Sequence, residues 1–179
     1  MTPRTSTTRI EPGWPDGIHR LFRRHEVREV CYVPDAGHAR LIQLCRADRA
    51  MRAIPLTTEE EGVALLAGAW LGGERGALLV QSSGVGNCIN MLGMIRECRF
   101  PLLMLVTMRG QWGEFNPWQV PMGQATPAAL ASIGVVVQEV DDAARVEETV
   151  ASAAGLVFGA HRAVAVLISQ RIIGAKEWK

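Results

Sequence analysis

Two hydrophobic rhythms alternate along this chain. Short β-rich runs fall at 29–33 (EVCYV), 77–81 (ALLVQ), 102–106 (LLMLV), 134–138 (GVVVQ) and 163–168 (AVAVLI), with a weaker one at 52–56 (RAIPL). Helical stripes lie between them. Val63, Leu66, Ala67, Trp70 and Leu71 recur at helical spacing, as do Cys88, Met91, Leu92 and Ile95, and Val146, Val150, Ala153 and Val157. Ile18, Leu21 and Phe22 predict an earlier helix, and Leu41, Leu44 and Cys45 another. Strand runs apolar on both faces, alternating with helices, describe a parallel sheet covered on two sides. The prediction is an α/β domain over 14–179, doubly wound, with about six mostly parallel strands, preceded by a loose arm at 1–13.

One stretch breaks the rhythm. Residues 107–127 (TMRGQWGEFNPWQVPMGQATP) hold Gly, Pro and Trp without an apolar stripe and read as a long loop after a strand. A loop at the carboxyl end of a parallel strand is a favoured ligand position.

Composition narrows the function classes. The net charge of +1 gives no electrostatic case for nucleic acid or an anionic membrane as partner. The longest apolar runs are far below membrane-spanning length, and the polar start lacks an apolar signal core. Cys31, Cys45, Cys88 and Cys98 sit in apolar segments without CxxC spacing, which predicts core thiols of a cytoplasmic protein and no zinc site.

Three consecutive glutamates open the helix at 59. Thr58 with Glu61 three residues on forms a capping box, and acidic side chains suit a helix N-terminus. The three carboxylates nevertheless face different ways. Glu61 points away from the Val63–Leu66–Ala67–Trp70 stripe, whereas Glu59 and Glu60 flank it at about 50° from its centre. A carboxylate against apolar surface has its pKa raised, as a working acid near neutral pH requires. Periodicity removes Glu61 and leaves Glu59 and Glu60 open.

The next strand runs into QSSGVGNCIN (81–90). Gly84 and Gly86 resemble a dinucleotide fingerprint without its third glycine, since position 89 is Ile. An acidic helix start, then a strand, then Ser-Gly-x-Gly-Asn opening a helix is a more specific combination. It resembles the pyrimidine-binding domain of thiamine-diphosphate-dependent 2-oxoacid decarboxylases and acetohydroxyacid synthases. VPDAGH, EEEGVALLAGAWLGG, QSSGVGNCIN, PWQVPMGQATP and RIIGAKEW together are similar to the α-chain family of sulfopyruvate decarboxylases, with phosphonopyruvate decarboxylases as near kin.

The resemblance implies decarboxylation of a 3-substituted 2-oxoacid, sulfopyruvate first and phosphonopyruvate second. Aligned on Gly62, the family's catalytic carboxylate falls on Glu60. There it hydrogen-bonds a pyrimidine nitrogen of thiamine diphosphate and promotes the imino form that deprotonates the thiazolium carbon. Gln81, Ser82, Ser83, Gly84, Val85, Gly86 and Asn87 would lie along the cofactor, the glycines letting backbone approach the ring. Asp35 and His38 would stand on the substrate side, although this chain has Ala-Gly-His where kin more often show Ser. Gln119 sits where phosphonate-type relatives tend to have His, and Arg109 is the nearest cation for an anionic tail.

The family also needs Gly-Asp-Gly and Asn-Asn to hold the diphosphate through Mg²⁺, and this chain contains neither. Asp141–Asp142 reads instead as a helix cap. The resemblance therefore implies a separate β chain carrying Mg²⁺, in a heterotetramer or larger assembly. The reading from another class is a flavodoxin-like binding module without catalysis.

Overall fold

The computed structural model describes residues 13–175. All of the expected arm except Gly13, and the end of RIIGAKEW beyond Ala175, lie outside the described residues. Six strands form one sheet: β1 (Val27–Tyr32), β2 (Arg52–Pro55), β3 (Arg75–Gln81), β4 (Leu102–Thr107), β5 (Val136–Val140) and β6 (Ala163–Ile168). Their order is β2-β1-β3-β4-β6-β5 and every pairing is parallel. The chain winds outward from β1 to β2, then reverses across β3, so the switch point lies between the ends of β1 and β3.

Strand alternation decides which helix covers which face. Val30, Leu79, Leu103, Leu105, Val164 and Val166 pack under α1 (Trp14–Arg24), α2 (Ala39–Ala47) and α7 (Val146–Ala160). Cys31, Leu78, Val80, Met104, Val106 and Leu167 face α3 (Glu59–Leu71), α4 (Ser82–Cys88) and α6 (Val120–Ser132). Two short helices remain, α5 (Gly93–Cys98) and α8 (Gln170–Ile173). β4 and β6 are buried along their whole length, as central strands of a doubly wound sheet must be.

The structure departs from the sequence reading in five places. Residues 120–132 are helix, so the long loop shrinks to 108–116 followed by a single tight turn, Pro117–Gln119. The helix escaped notice because it packs through small residues: Gly123, Thr126 and Leu130 are its buried positions, and Pro127 sits inside it. A Cβ on Gly123 would stand 1.9 Å from the Arg109 carbonyl oxygen, so only glycine lets this helix lie so close to the strand end.

The stripe Cys88–Ile95 is not one helix. The N–H groups of Gly93, Met94 and Ile95 reach back three residues, to Asn90, Met91 and Leu92, and this tighter winding separates α4 from α5. β5 begins two residues later than expected, because Ile133, Gly134 and Val135 turn back to bond the carbonyls of Leu130 and Ala131. Leu71, placed on an apolar stripe, is 88% exposed at the end of α3. Among the thiols, Cys31, Cys45 and Cys88 are core residues that burial pushes up to about 12, but Cys98 is exposed.

Candidate active site

The carboxyl ends of β1, β3 and β4, with the start of α3, gather the sequence-predicted residues at one end of the sheet. Gln81 pairs in register with Thr107, which sets the segments after β3 and β4 side by side. Thr107 Oγ1 donates to Asp35 Oδ2 at 2.5 Å, tying the turn after β1 to them. The two sides of the switch point therefore meet through a short hydrogen bond.

The three glutamates have three different fates. Thr57 N–H donates to Glu61 Oε2 at 2.8 Å, so Glu61 caps the helix, one residue further back than the box predicted. Glu59 Oε2 accepts from Asn87 Nδ2 at 2.7 Å and leans across α4. Glu60 accepts from the Thr58 hydroxyl and stands half-exposed at the rim. Burial was expected to raise a working carboxylate's pKa, and here the structure corrects the sequence reading. The Thr58 hydrogen bond, and then Glu60's own backbone N–H, hold Glu60 below the usual carboxylate range, against a smaller opposing effect of desolvation.

The segment 81–88 is helical from Ser82, so its side chains divide between core and rim. Val85 is fully buried among the apolar residues of α3 and β4, and Ser82 Oγ accepts from Arg109 N–H at 3.1 Å beneath the surface. These two were expected along the cofactor; their side chains face the other way. Gln81, Ser83, Gly86 and Asn87 remain accessible, with Ser83 Oγ donating to Gln81 Oε1 at 3.1 Å. The room left by the two glycines is filled by the chain itself: the Glu59 carboxylate lies against Gly84, and Met122 against Gly86.

His38, expected on the substrate side, lies beneath the surface. It is wholly buried, with Nε2–H donating to the Leu105 carbonyl at 3.1 Å. Nδ1 is buried without a partner, and burial holds the ring below the usual imidazole range although Asp35 pulls the other way. The imidazole is a neutral peg under the sheet end.

Arg109 is likewise not a free cation. Its guanidinium makes a bidentate pair with Glu114, Nε to Oε2 at 2.7 Å, and stacks over Phe115 at 5.4 Å. Glu114 was not singled out from sequence, yet it organises the loop. It also accepts from Gly110 N–H at 3.1 Å, Asn116 N–H at 3.0 Å and Gln170 Nε2 at 2.9 Å. These donors, Arg109 foremost, pull its pKa down to about 2. Gln170 adds the link to β6 by accepting from Gln111 and Trp112 N–H at 2.9 and 3.1 Å. Only the long apolar-poor segment hinted at such a hub, and a hub built on main-chain donors has no sequence motif.

Gln119 is half-buried at the start of α6, and its Oε1 is buried without a partner. Beside it, Pro117, Trp118, Pro121 and Met122 line an open apolar hollow of about 500 Å³, and Trp118 is 85% exposed. Among the described residues, no three His, Cys, Asp or Glu side chains come together that could hold a metal ion. Asp142 caps the turn before α7 by accepting from Ala144 N–H at 2.9 Å. No helix among the described residues is long and apolar enough to cross a membrane.

Residues 15–118, which span the acidic helix start and the Ser-Gly-x-Gly-Asn turn that it faces, match a family model: thiamine pyrophosphate enzyme, N-terminal TPP binding domain. The chain belongs to that family. It is 34% identical over 137 residues to the sulfopyruvate decarboxylase subunit alpha of Methanothermobacter thermautotrophicus, covering 76% of this chain and 83% of that one. The subunit of the same name from Methanococcus maripaludis is 34% identical over 121 residues, 67% of this chain and 72% of that relative. Phosphonopyruvate decarboxylase of Streptomyces hygroscopicus is 38% identical over 102 residues, 56% of this chain but 25% of that protein. Among solved structures, a 2-oxoglutarate:ferredoxin oxidoreductase from Magnetococcus marinus superposes with a TM-score of 0.74 at 14% identity, over 90% of this chain and 29% of that one, a likeness of fold.

Proposed function

We propose that this chain is the α subunit of a two-chain, thiamine-diphosphate-dependent decarboxylase acting on a 3-substituted 2-oxoacid, with sulfopyruvate as the substrate that its relatives favour. The observation that carries the reading is the acidic start of α3: Glu60, hydrogen-bonded to Thr58, stands on the open rim, and its neighbour Glu59 lies against Gly84 and accepts from Asn87 of the 81–88 turn. Relatives named subunit alpha support a partner chain, and the exposed Trp118 hollow adjoining Met122 gives that chain an apolar surface next to the site.

The residues present suit an aminopyrimidine. Glu60 offers the carboxylate for a ring nitrogen, Gln119 Oε1 is a buried acceptor without a partner, and Met122 provides a soft apolar surface over Gly86. The cofactor, when bound, supplies the electron sink for the bond that breaks as carbon dioxide leaves. Glu60's task is to hold a proton at its carboxyl oxygen toward the ring nitrogen. In the chain alone the Thr58 hydroxyl and the open rim favour the charged form. A partner seated on the rim removes water, raises the carboxyl pKa and makes proton sharing possible. Asp35, in the turn after β1 and held by Thr107, faces the substrate side in this reading.

The experiment is reconstitution. The purified chain with thiamine diphosphate and Mg²⁺ should not turn over sulfopyruvate. Adding a β chain bearing Gly-Asp-Gly and Asn-Asn should create activity that saturates at a fixed ratio. Turnover by this chain alone would overturn the proposal, and a panel of 3-substituted pyruvates would identify the substrate.

A further inference from the structure

At the amino ends of β4 and β6, away from Glu60, the surface opens into a hollow of about 500 Å³. β4 has six residues, which at about 3.3 Å each puts roughly 20 Å of strand between this hollow and the Thr107 end. Leu102 and Ala163 pair in register there, and Leu102 N–H donates to the Arg162 carbonyl at 3.4 Å. Arg162 therefore stands beside the segment that leaves α5, which brings Arg96 and Arg99 to the same hollow. Ile95, Phe100 and Ile133 supply its apolar wall.

Positive charge collects here without compensation. Among the described residues no acidic side chain lines the hollow, and Glu97, exposed on α5, is not part of its wall. Elsewhere most arginines pair with carboxylates, and Arg75 and Arg171 lie over aromatic rings. Among the described arginines, only Arg46, Arg49 and the three of this hollow have side chains without an ion pair, hydrogen bond or ring contact. In a chain of net charge +1, three such guanidinium groups around one cavity are a local excess.

The backbone keeps side chains here where glycine is the easier residue. Arg99 and His161 follow α5 and α7 in the left-handed region, each at φ 52°, where a Cβ crowds the neighbouring carbonyl. The third helix ending at the hollow, α6, does use glycine: Gly134 has φ 91°. Cations at helix C-termini also complement the helix dipole, which is the alternative role for these arginines. Three helix ends offer at most about half a negative charge each, so roughly half of the arginine charge is left unanswered.

We infer that this hollow binds a phosphate-bearing small molecule with an apolar or aromatic body. Guanidinium forks match phosphate oxygens bidentately, and Ile95, Phe100 and Ile133 give the body an apolar wall. The volume lies within the range of small-ligand sites. The site goes beyond the function proposed above and does not depend on it, because none of its residues belongs to the Glu60 end of the sheet.

The probes are ADP, inorganic pyrophosphate and adenosine, titrated into the full chain while backbone amide shifts are followed by NMR. ADP should bind with a submillimolar Kd and move the amides of 95–100, 133–134 and 161–163. Pyrophosphate should move the same amides with weaker binding, and adenosine should leave them in place. Arg99→Ala and Arg162→Ala should each weaken ADP binding about tenfold, the scale of one lost charge-assisted contact. Arg162→Lys, which keeps the charge and loses the fork, should weaken it less.

Amides of the hollow that do not respond to ADP, shifts confined to 81–88, or Ala variants that bind ADP like the wild type would each overturn the site. Pyrophosphate or adenosine binding as tightly as ADP would overturn the ligand class. Lower melting temperatures in the Ala variants, with no probe bound by the wild type, would assign the arginines to the helix ends alone. Loss of the partner chain in those variants, again with no probe bound, would make the hollow a docking surface for an acidic protein segment and overturn the small-molecule site.

Discussion

The start of α3 and the loop after β4 lie at the same end of the sheet and both depend on glutamate, yet they are wired in opposite ways. Glu114 accepts from Arg109, Gln170 and the main chain at Gly110 and Asn116, and its side chain is 4% exposed. Glu60 accepts from one threonine hydroxyl and stands at the rim. A carboxylate whose acceptor sites are filled from its own chain is part of the scaffold. One with vacant acceptor capacity at an open edge is free to take water, a ligand or a partner's donor. The contrast also reassigns Arg109. Seen in sequence it is the cation beside a long loop; seen in space it belongs to Glu114 and supports the shelf on which Glu60's neighbours sit.

The largest effect that would sharpen this contrast is at Glu60. In the reconstituted two-chain enzyme, Glu60→Gln should lower kcat by about 10²–10⁴, the usual scale for a lost general acid, with an unchanged melting temperature. Proton–deuterium exchange at the thiazolium carbon is the direct assay, and wild-type exchange in the variant would erase the distinction between the two glutamates.

Glu114→Ala should do the reverse. It leaves Arg109, whose side chain is 11% exposed, without its carboxylate, and loss of one partner from a buried pair costs about 3–5 kcal/mol. Denaturant unfolding of the chain alone measures it. The pH dependence has a definite sign. Because the folded-state pKa is depressed to about 2 from the ordinary 4.5, the carboxylate's contribution is fully present above the ordinary value. It is lost as pH falls from there toward 2, and the Ala variant should lack that part of the acid transition. Arg109→Ala should destabilise similarly and affect sulfopyruvate and pyruvate alike. A KM increase confined to sulfopyruvate would return Arg109 to the anionic tail.

Between these two regions lies the apolar hollow, and it tests why the rim is open. Trp118→Ala should weaken assembly with the partner chain by roughly 2 kcal/mol, about thirtyfold in Kd, if Trp118 anchors the interface. Analytical ultracentrifugation of the two chains reads this out. Unchanged assembly would mean that the rim is covered from another side.

What could be read from sequence, and what could not, divides along similar lines. β6 was legible at 163–168 because six consecutive apolar residues in a central strand leave no competing reading. α6 was not, since its buried positions are a glycine, a threonine and a leucine, and proline interrupts it. A hydrophobic pattern records only contacts made by large apolar side chains. The same limit governed the site. Angle alone could tell Glu61 from its neighbours, because a capping role depends on local geometry. Glu114 and Gln170 were missed because their partners lie 5 and 59 residues away and are chosen by how the strand ends and the loop pack, and the Asn87 that Glu59 meets, 28 residues on, is hidden for the same reason. His38 was misplaced for the same reason: only the register of β1 beside the inner strands shows that the turn after β1 drops its imidazole onto the Leu105 carbonyl.

The smallest expected effect is at Glu61, and it completes the comparison within a single triplet. Glu61 accepts from Thr57 N–H at 2.8 Å and its side chain is exposed, so its work is to hold the chain just before α3 against the first turn of the helix. Glu61→Ala removes that acceptor and a negative charge from the positive helix end, which together cost about 1 kcal/mol. Nothing in its surroundings reaches the 81–88 turn, so kcat in the two-chain enzyme should stay within about twofold of wild type, on the scale of an exposed substitution. The informative result is the contrast within the triplet: catalysis lost with stability kept at Glu60, stability trimmed with catalysis kept at Glu61. If Glu61→Ala slowed turnover as much as Glu60→Gln, the carboxylates would be acting as a common negative field, and the separate bonds that distinguish them would have no bearing on the chemistry.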